Sequence, residues 1–152
     1  MSINEKLSEL GISLSEVGDL SPYVKSYTVA GKMIYTSGLI PFNADGSIAK
    51  GKVGLDYTTE EAKAYVKNIT VQLLSALNQA AGGLENIKQI VMLQCFANAV
   101  ADYDEHAVLF NAASEMFTKV LGDAGKHARF ALGMGSLPMN VPVEIAVTAE
   151  MK

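Results

Sequence analysis

Apolar residues recur at helical spacing in two long stretches of this 152-residue chain and alternate or run together in five shorter ones. In the first long stretch Ala62, Tyr65, Val66, Ile69, Leu73, Ala76, Leu77 and Ala80 share one side of a helix. Thr58 and Glu61 form a capping-box pattern at its start, and Gly82-Gly83 ends it. In the second, Ala107, Phe110, Ala113, Phe117 and Val120 form the buried stripe; Asp102 is the expected cap, Glu105 its capping-box partner and Gly122 the stop. A short helix is expected over residues 2–10, with Ser2 and Glu5 as its capping pair, Ile3, Leu7 and Leu10 on one side, and Gly11 after it. In "YVKSYTVAGKMIYTSGLIP", two β-rich runs flank a hairpin turn at Ala30-Gly31-Lys32, and Pro41 ends the second. "NADGSIAKGKVG" reads as loop with a short edge strand near Ile48. Further strands are expected at "IKQIVMLQCFAN", at about 128–134 and at about 142–150, where Val143, Ile145, Val147 and Ala149 alternate with Glu144, Ala146, Thr148 and Glu150.

The order hairpin, helix, strand, helix, strand, strand predicts one α+β domain over residues 1–152, with two long helices on one face of a mixed sheet and a short-helix extension at 1–20. Two helices cover one face only. Yet "IVMLQCFA" at 90–97 gives apolar side chains to both faces, so the second face needs a cover. A like subunit is the expected one. The alternative is residues 1–20 folding back over it.

Charge narrows the partners. Twelve basic against 16 acidic residues give −4, with no basic face of the kind that neutralises a phosphate backbone, so nucleic acid is not expected as a partner. Cys95 is the one cysteine, which excludes an internal disulfide framework. "MSINEKLSELG" lacks the basic and apolar regions of a signal peptide, and no apolar run approaches the ~20 residues of a membrane span. A cytoplasmic protein without a membrane partner is the expectation. His106 and His127 lie too far apart to suggest a metal motif, and His106 is expected to be exposed.

One residue sits awkwardly in this pattern. "HARFALGMGSLP" is mostly small and apolar, but Arg129 stands in its middle. A guanidinium in a strand bound for the interior needs an anion. That anion is either a carboxylate of the chain, such as Glu144, or the carboxylate of a ligand, which a planar pair of donors grips at two points.

"SPYVKSYTVAGKMIYTSGLIP", "NAASEMF" and "HARFALGMGSLPMNVPVEI" together resemble the RidA/YjgF/UK114 family of reactive-intermediate deaminases, from about Pro22 to the C-terminus. The resemblance implies a chorismate-mutase-like α+β subunit, a homotrimer whose sheets form a central barrel, and sites in the clefts between subunits. It implies hydrolysis of enamine and imine acids such as 2-aminoacrylate to 2-keto acids and ammonia, with no metal or organic cofactor. By the same resemblance Arg129 grips the substrate carboxylate, Glu144 positions the attacking water, Tyr23 and Ser37 line the cleft, and Asn111 lies near it. The chain departs from many members at three positions: His127 stands where they have proline, Ala131 where they have cysteine, and Ala146 where they have a second glutamate. The N-terminal extension and the loop at 42–57 are longer than in short members. Two other functions stand beside deamination: a trimer that senses small carboxylates without turnover, and an endoribonuclease or translation inhibitor, against which the acidic charge counts.

Overall fold

In the computed structural model, which describes residues 1–152, two of the three expected capping boxes form. Ser2 opens α1 (Ile3–Glu9) and Thr58 opens α2 (Thr59–Ala81); in each, the hydroxyl accepts the third backbone N–H and the glutamate reaches back to the cap. Gly82 closes α2 in the left-handed conformation at φ 70°, which glycine adopts without steric cost. The hairpin pairs β1 (Tyr27–Ala30) with β2 (Met33–Thr36), so Gly31 and Lys32 alone make the turn and Ala30 pairs with Met33. β3 is Ile87–Asn98, β4 Ala128–Met134 and β5 Val143–Met151.

The remaining long helix, α3, spans His106–Leu121 and departs from the expectation at its start. Its cap is Glu105 rather than Asp102, and no side chain caps it. The Glu105 carboxylate accepts instead from the Thr59 hydroxyl of α2 at 2.6 Å, and Tyr103 joins the same cluster through Thr59 at 2.7 Å. A tertiary partner therefore outcompetes the local capping pattern. The expected edge strand near Ile48 is a single bridge from Ile48 to Phe42.

The five strands form one mixed sheet in the order β1-β2-β5-β3-β4. β3 and β4 are parallel, joined by α3 as crossover, and every other pairing is antiparallel. Helices α2 and α3 pack on one face. Ile69, Leu73, Leu77, Leu109, Phe110 and Phe117 from the helices meet Ile34, Leu93, Cys95, Val143, Ile145 and Val147 from the strands, all essentially inaccessible. Each such aliphatic or aromatic side chain contributes about 2 kcal/mol through burial, so this layer carries most of the stability.

Residues 1–20 do not cover the other face. Leu7 is buried, and Ile3, Ile12 and Leu14 pack onto the helix-side core. The Ser15 N–H donates to the Ser75 hydroxyl at 3.2 Å, and the Gln79 amide binds both backbone groups of Val17 at 2.9 and 3.0 Å. The extension lies across α2 and α3, which removes the alternative cover. The helix-free face keeps Tyr35, Phe130 and Leu132 at 46%, 38% and 45% exposure, and Phe96 meets Phe130 edge to face at 6.0 Å. No helix is long and apolar enough to cross a membrane.

Candidate active site

Arg129 pairs with Leu93 across the parallel ladder, so its side chain leaves the sheet on the helix side while its neighbours Ala128 and Phe130 take the other face. It meets α3 there. Asn111 and Ser114 are three residues apart, one above the other on the helix surface, and both accept from Arg129 Nη1, at 3.0 Å each. Those two bonds use both Nη1 hydrogens. No carboxylate of the subunit pairs with the guanidinium: the ion pairs are Lys63–Glu60, Lys88–Glu150 and Lys126–Asp123. The edge made by Nε and Nη2 has no hydrogen-bond partner in the subunit. This excludes the internal salt bridge to Glu144 that the sequence left open.

Glu144 belongs to the opposite face. It pairs with Phe96 on β3, between the buried Val143 and Ile145. Its side chain lies over Gly38, where any Cβ would overlap the carboxylate. The surrounding cleft, about 560 Å3, is lined by Leu20, Val24, Leu39, Phe42 and Met139 among others. Burial in it is the sole cause that pushes the Glu144 carboxyl above its ordinary value of 4.5. Ser37 also lines this cleft, with its hydroxyl committed to the Lys25 carbonyl at 2.6 Å.

The subunit therefore does not bring its candidate residues together. Arg129 with Asn111 forms one group and Glu144 with Ser37 another. Two strand spacings across and three residues along put the Arg129 and Glu144 Cα atoms about 14 Å apart, on opposite faces. Tyr23 joins neither group: it is 94% exposed, projecting from a turn in which Ser21 Oγ accepts the N–H groups of Tyr23 and Val24.

Sequence reasoning missed Ser114 and Gly38. The signal for Ser114 was its spacing from Asn111, which places both on one helical face. Gly38 carried no local signal, because only strand pairing brings Glu144 over it. His127, two residues before Arg129, is bound to Ser114 at 2.8 Å. His106, expected to be exposed, is half-buried against Tyr103, at a ring separation of 5.1 Å. Cys95 sits opposite Ala131 on the neighbouring strand, where burial pushes its thiol up to about 12. No group of three or more His, Cys, Asp or Glu side chains is arranged to hold a metal ion.

Residues 4–151 match the family model described as "YjgF/chorismate_mutase-like, putative endoribonuclease". The chain belongs to the YjgF/chorismate mutase-like family. Protein TCP17 of Trypanosoma cruzi is 31% identical over 146 residues, covering 95% of this chain and 91% of that one. The crystal structure of the protein Atu1372 of Agrobacterium tumefaciens is 35% identical, with a TM-score of 0.88 over 99% of this chain and 94% of that one. That of a "putative endoribonuclease" from Shewanella oneidensis is 29% identical, with a TM-score of 0.91 over 99% of this chain and 100% of that one. The mixed sheet with its helices on one face is thus the YjgF-like arrangement, and the N-terminal extension is shared across nearly the full length of these two structures.

Proposed function

We propose that this protein hydrolyses small enamine or imine acids to 2-keto acids and ammonia, at sites assembled between the subunits of a homotrimer. The observation that carries the reading is the state of Arg129: a guanidinium held by neutral acceptors only, with one two-donor edge left for a carboxylate from outside the chain. Glu144 supplies the second requirement. A carboxylate in an apolar cleft, with its proton affinity raised, is suited to take a proton from water as the water adds to the imine carbon. The same group returns that proton to the nitrogen of the resulting carbinolamine; as the C–N bond breaks, Glu144 takes the hydroxyl proton, the ketone forms, and the proton leaves with ammonia as ammonium. An enamine substrate is first protonated from solvent at carbon, which gives the iminium form that the water attacks.

Because Arg129 and Glu144 leave opposite faces, a substrate that touches both needs Arg129 from one subunit and Glu144 from its neighbour. The exposed Tyr35, Phe130 and Leu132 give such a neighbour an apolar surface to cover. Tyr23, free in its own subunit, is then available to complete an adjoining cleft.

The test is ammonia release from imino acids generated in situ by an amino-acid oxidase, comparing wild type with Arg129→Ala. Loss of turnover in the variant with the oligomer intact is expected; equal rates would remove Arg129 from the reaction. The endoribonuclease activity in the family's description favours a second reading, RNA cleavage. RNA cleavage that survives both high salt and Arg129→Ala would put that reading in place of the first.

A further inference from the structure

We propose that Ser114 and His127 form a positioning relay that locks the Arg129 guanidinium about its own axis and so selects which edge meets the ligand. The relay rests on the reading of Arg129 as a carboxylate clamp and adds the residues that aim it.

The chain of donors runs one way. His127 Nδ1 lies 2.7 Å from the Gly125 carbonyl, which only accepts, so Nδ1 carries the ring proton. In the neutral ring Nε2 is then the acceptor and takes the Ser114 hydroxyl hydrogen at 2.8 Å. With its hydrogen turned toward His127, Ser114 Oγ presents a lone pair to Arg129 Nη1 at 3.0 Å. Without His127 the hydroxyl could rotate its hydrogen toward the guanidinium and repel it. The anchor of the relay is itself closely packed. Gly125 is buried against α3, where an added Cβ would collide with the Phe117 carbonyl. The Phe117 ring also meets His127 edge to face at 6.2 Å.

The consequence is geometric. A free guanidinium can turn either its Nε–Nη2 edge or its Nη1–Nη2 edge to a carboxylate. Here Asn111 and Ser114 together hold Nη1, so Nε and Nη2 always form the outward edge, whose two parallel N–H bonds match a carboxylate. Pre-ordering that edge removes an entropic cost from binding. His127, where many family members carry proline, is therefore a positioning residue of this chain rather than a group that touches substrate.

The test uses the full chain labelled with 15N and reads the Arg129 side-chain resonances, which report rotation of the guanidinium whether or not a substrate is known. The wild type is expected to show separate Nη1 and Nη2 signals. Ser114→Ala and His127→Leu should bring the two into rapid exchange. His127→Gln, whose amide oxygen can replace Nε2 as acceptor, should keep them separate. In parallel, dissociation constants for pyruvate should rise about ten-fold in Ser114→Ala and His127→Leu, and about two-fold at most in His127→Gln. Separate signals in Ser114→Ala would overturn the relay, as would His127→Gln behaving like His127→Leu. Failure of the wild type to bind pyruvate would instead count against the carboxylate clamp, while the resonance contrast still decides whether Ser114 and His127 order the guanidinium.

Discussion

Arg129 and Glu144 of one subunit face opposite sides of the same sheet, the first toward α3 and the second away from the helices. Two inactive variants should therefore rescue each other. Arg129→Ala and Glu144→Gln subunits, unfolded together and reassembled, are expected to regain a fraction of wild-type ammonia release, because some clefts then pair an intact arginine with an intact glutamate. A mixture that stays as inactive as its components would show that the two residues do not share a cleft across subunits.

Arg129→Lys should keep the positive charge and lose the planar pair of donors. A fall in kcat/KM of about 30- to 150-fold is expected, corresponding to about 2–3 kcal/mol for a charged two-point contact. The melting temperature should move little, since no ion pair within the subunit is broken. Steady-state kinetics beside a thermal melt checks both halves.

Glu144 links pH to rate and to stability with opposite signs. Its carboxylate must be ionised to accept a proton, so the acid limb of kcat should have its midpoint above the ordinary 4.5, and Glu144→Gln should abolish turnover. Folding disfavours the charged form, so the native state holds the proton more tightly than the unfolded chain does. Stability is thus lost as pH rises from 4.5 through the raised value. Melts at pH 7.5 should find Glu144→Gln more stable than wild type, and melts at pH 4 should find the advantage gone.

Gly38→Ala places a methyl group where the Glu144 carboxylate now lies. Gly38 is not among the residues with positive φ, so alanine suits the backbone and the fold should persist. The displaced carboxylate should cost about 100-fold in kcat, as misplacement by roughly 1 Å does elsewhere. Wild-type turnover in this variant would mean that the position of Glu144 is not critical to the reaction.

Asn98, 1% exposed, accepts from Lys52 Nζ at 2.7 Å and donates to Asn140 Oδ1 at 3.0 Å. Asn140 and Met139 both have positive φ, at 59° and 55°, an unfavourable backbone for residues other than glycine. Asn98→Leu leaves that turn and a lysine ammonium without their shared partner. A loss of about 2–4 kcal/mol is expected, or roughly 5–15 °C in melting temperature for a domain of this size. Chemical denaturation would check it.

Most elements were legible because their signals are local. Ser2 with Glu5 and Thr58 with Glu61 lie within one turn of each other, and both pairs form as the pattern requires. Asp102 with Glu105 carries the same pattern and fails, because Thr59, distant in sequence, claims the Glu105 carboxylate, while the neighbouring Tyr103 donates to the Glu105 carbonyl. The site divides along the same line. Arg129 announced itself as a charge in an apolar strand, and Glu144 through its place in a recognised motif. Ser114, His127 and Gly38 acquire their meaning from strand register and from the packing of α3, which no window of sequence contains. The opposite facing of Arg129 and Glu144 also needed the ladder pairings, since residues fifteen apart on non-adjacent strands have no readable phase.

Residues 1–17 lie on the outer side of α2 and α3, away from the helix-free face of the sheet, while Leu20 of the extension reaches the Glu144 cleft. A truncated chain is expected to bare the apolar surface that Ile3, Leu7, Ile12 and Leu14 now shield, and to aggregate through it.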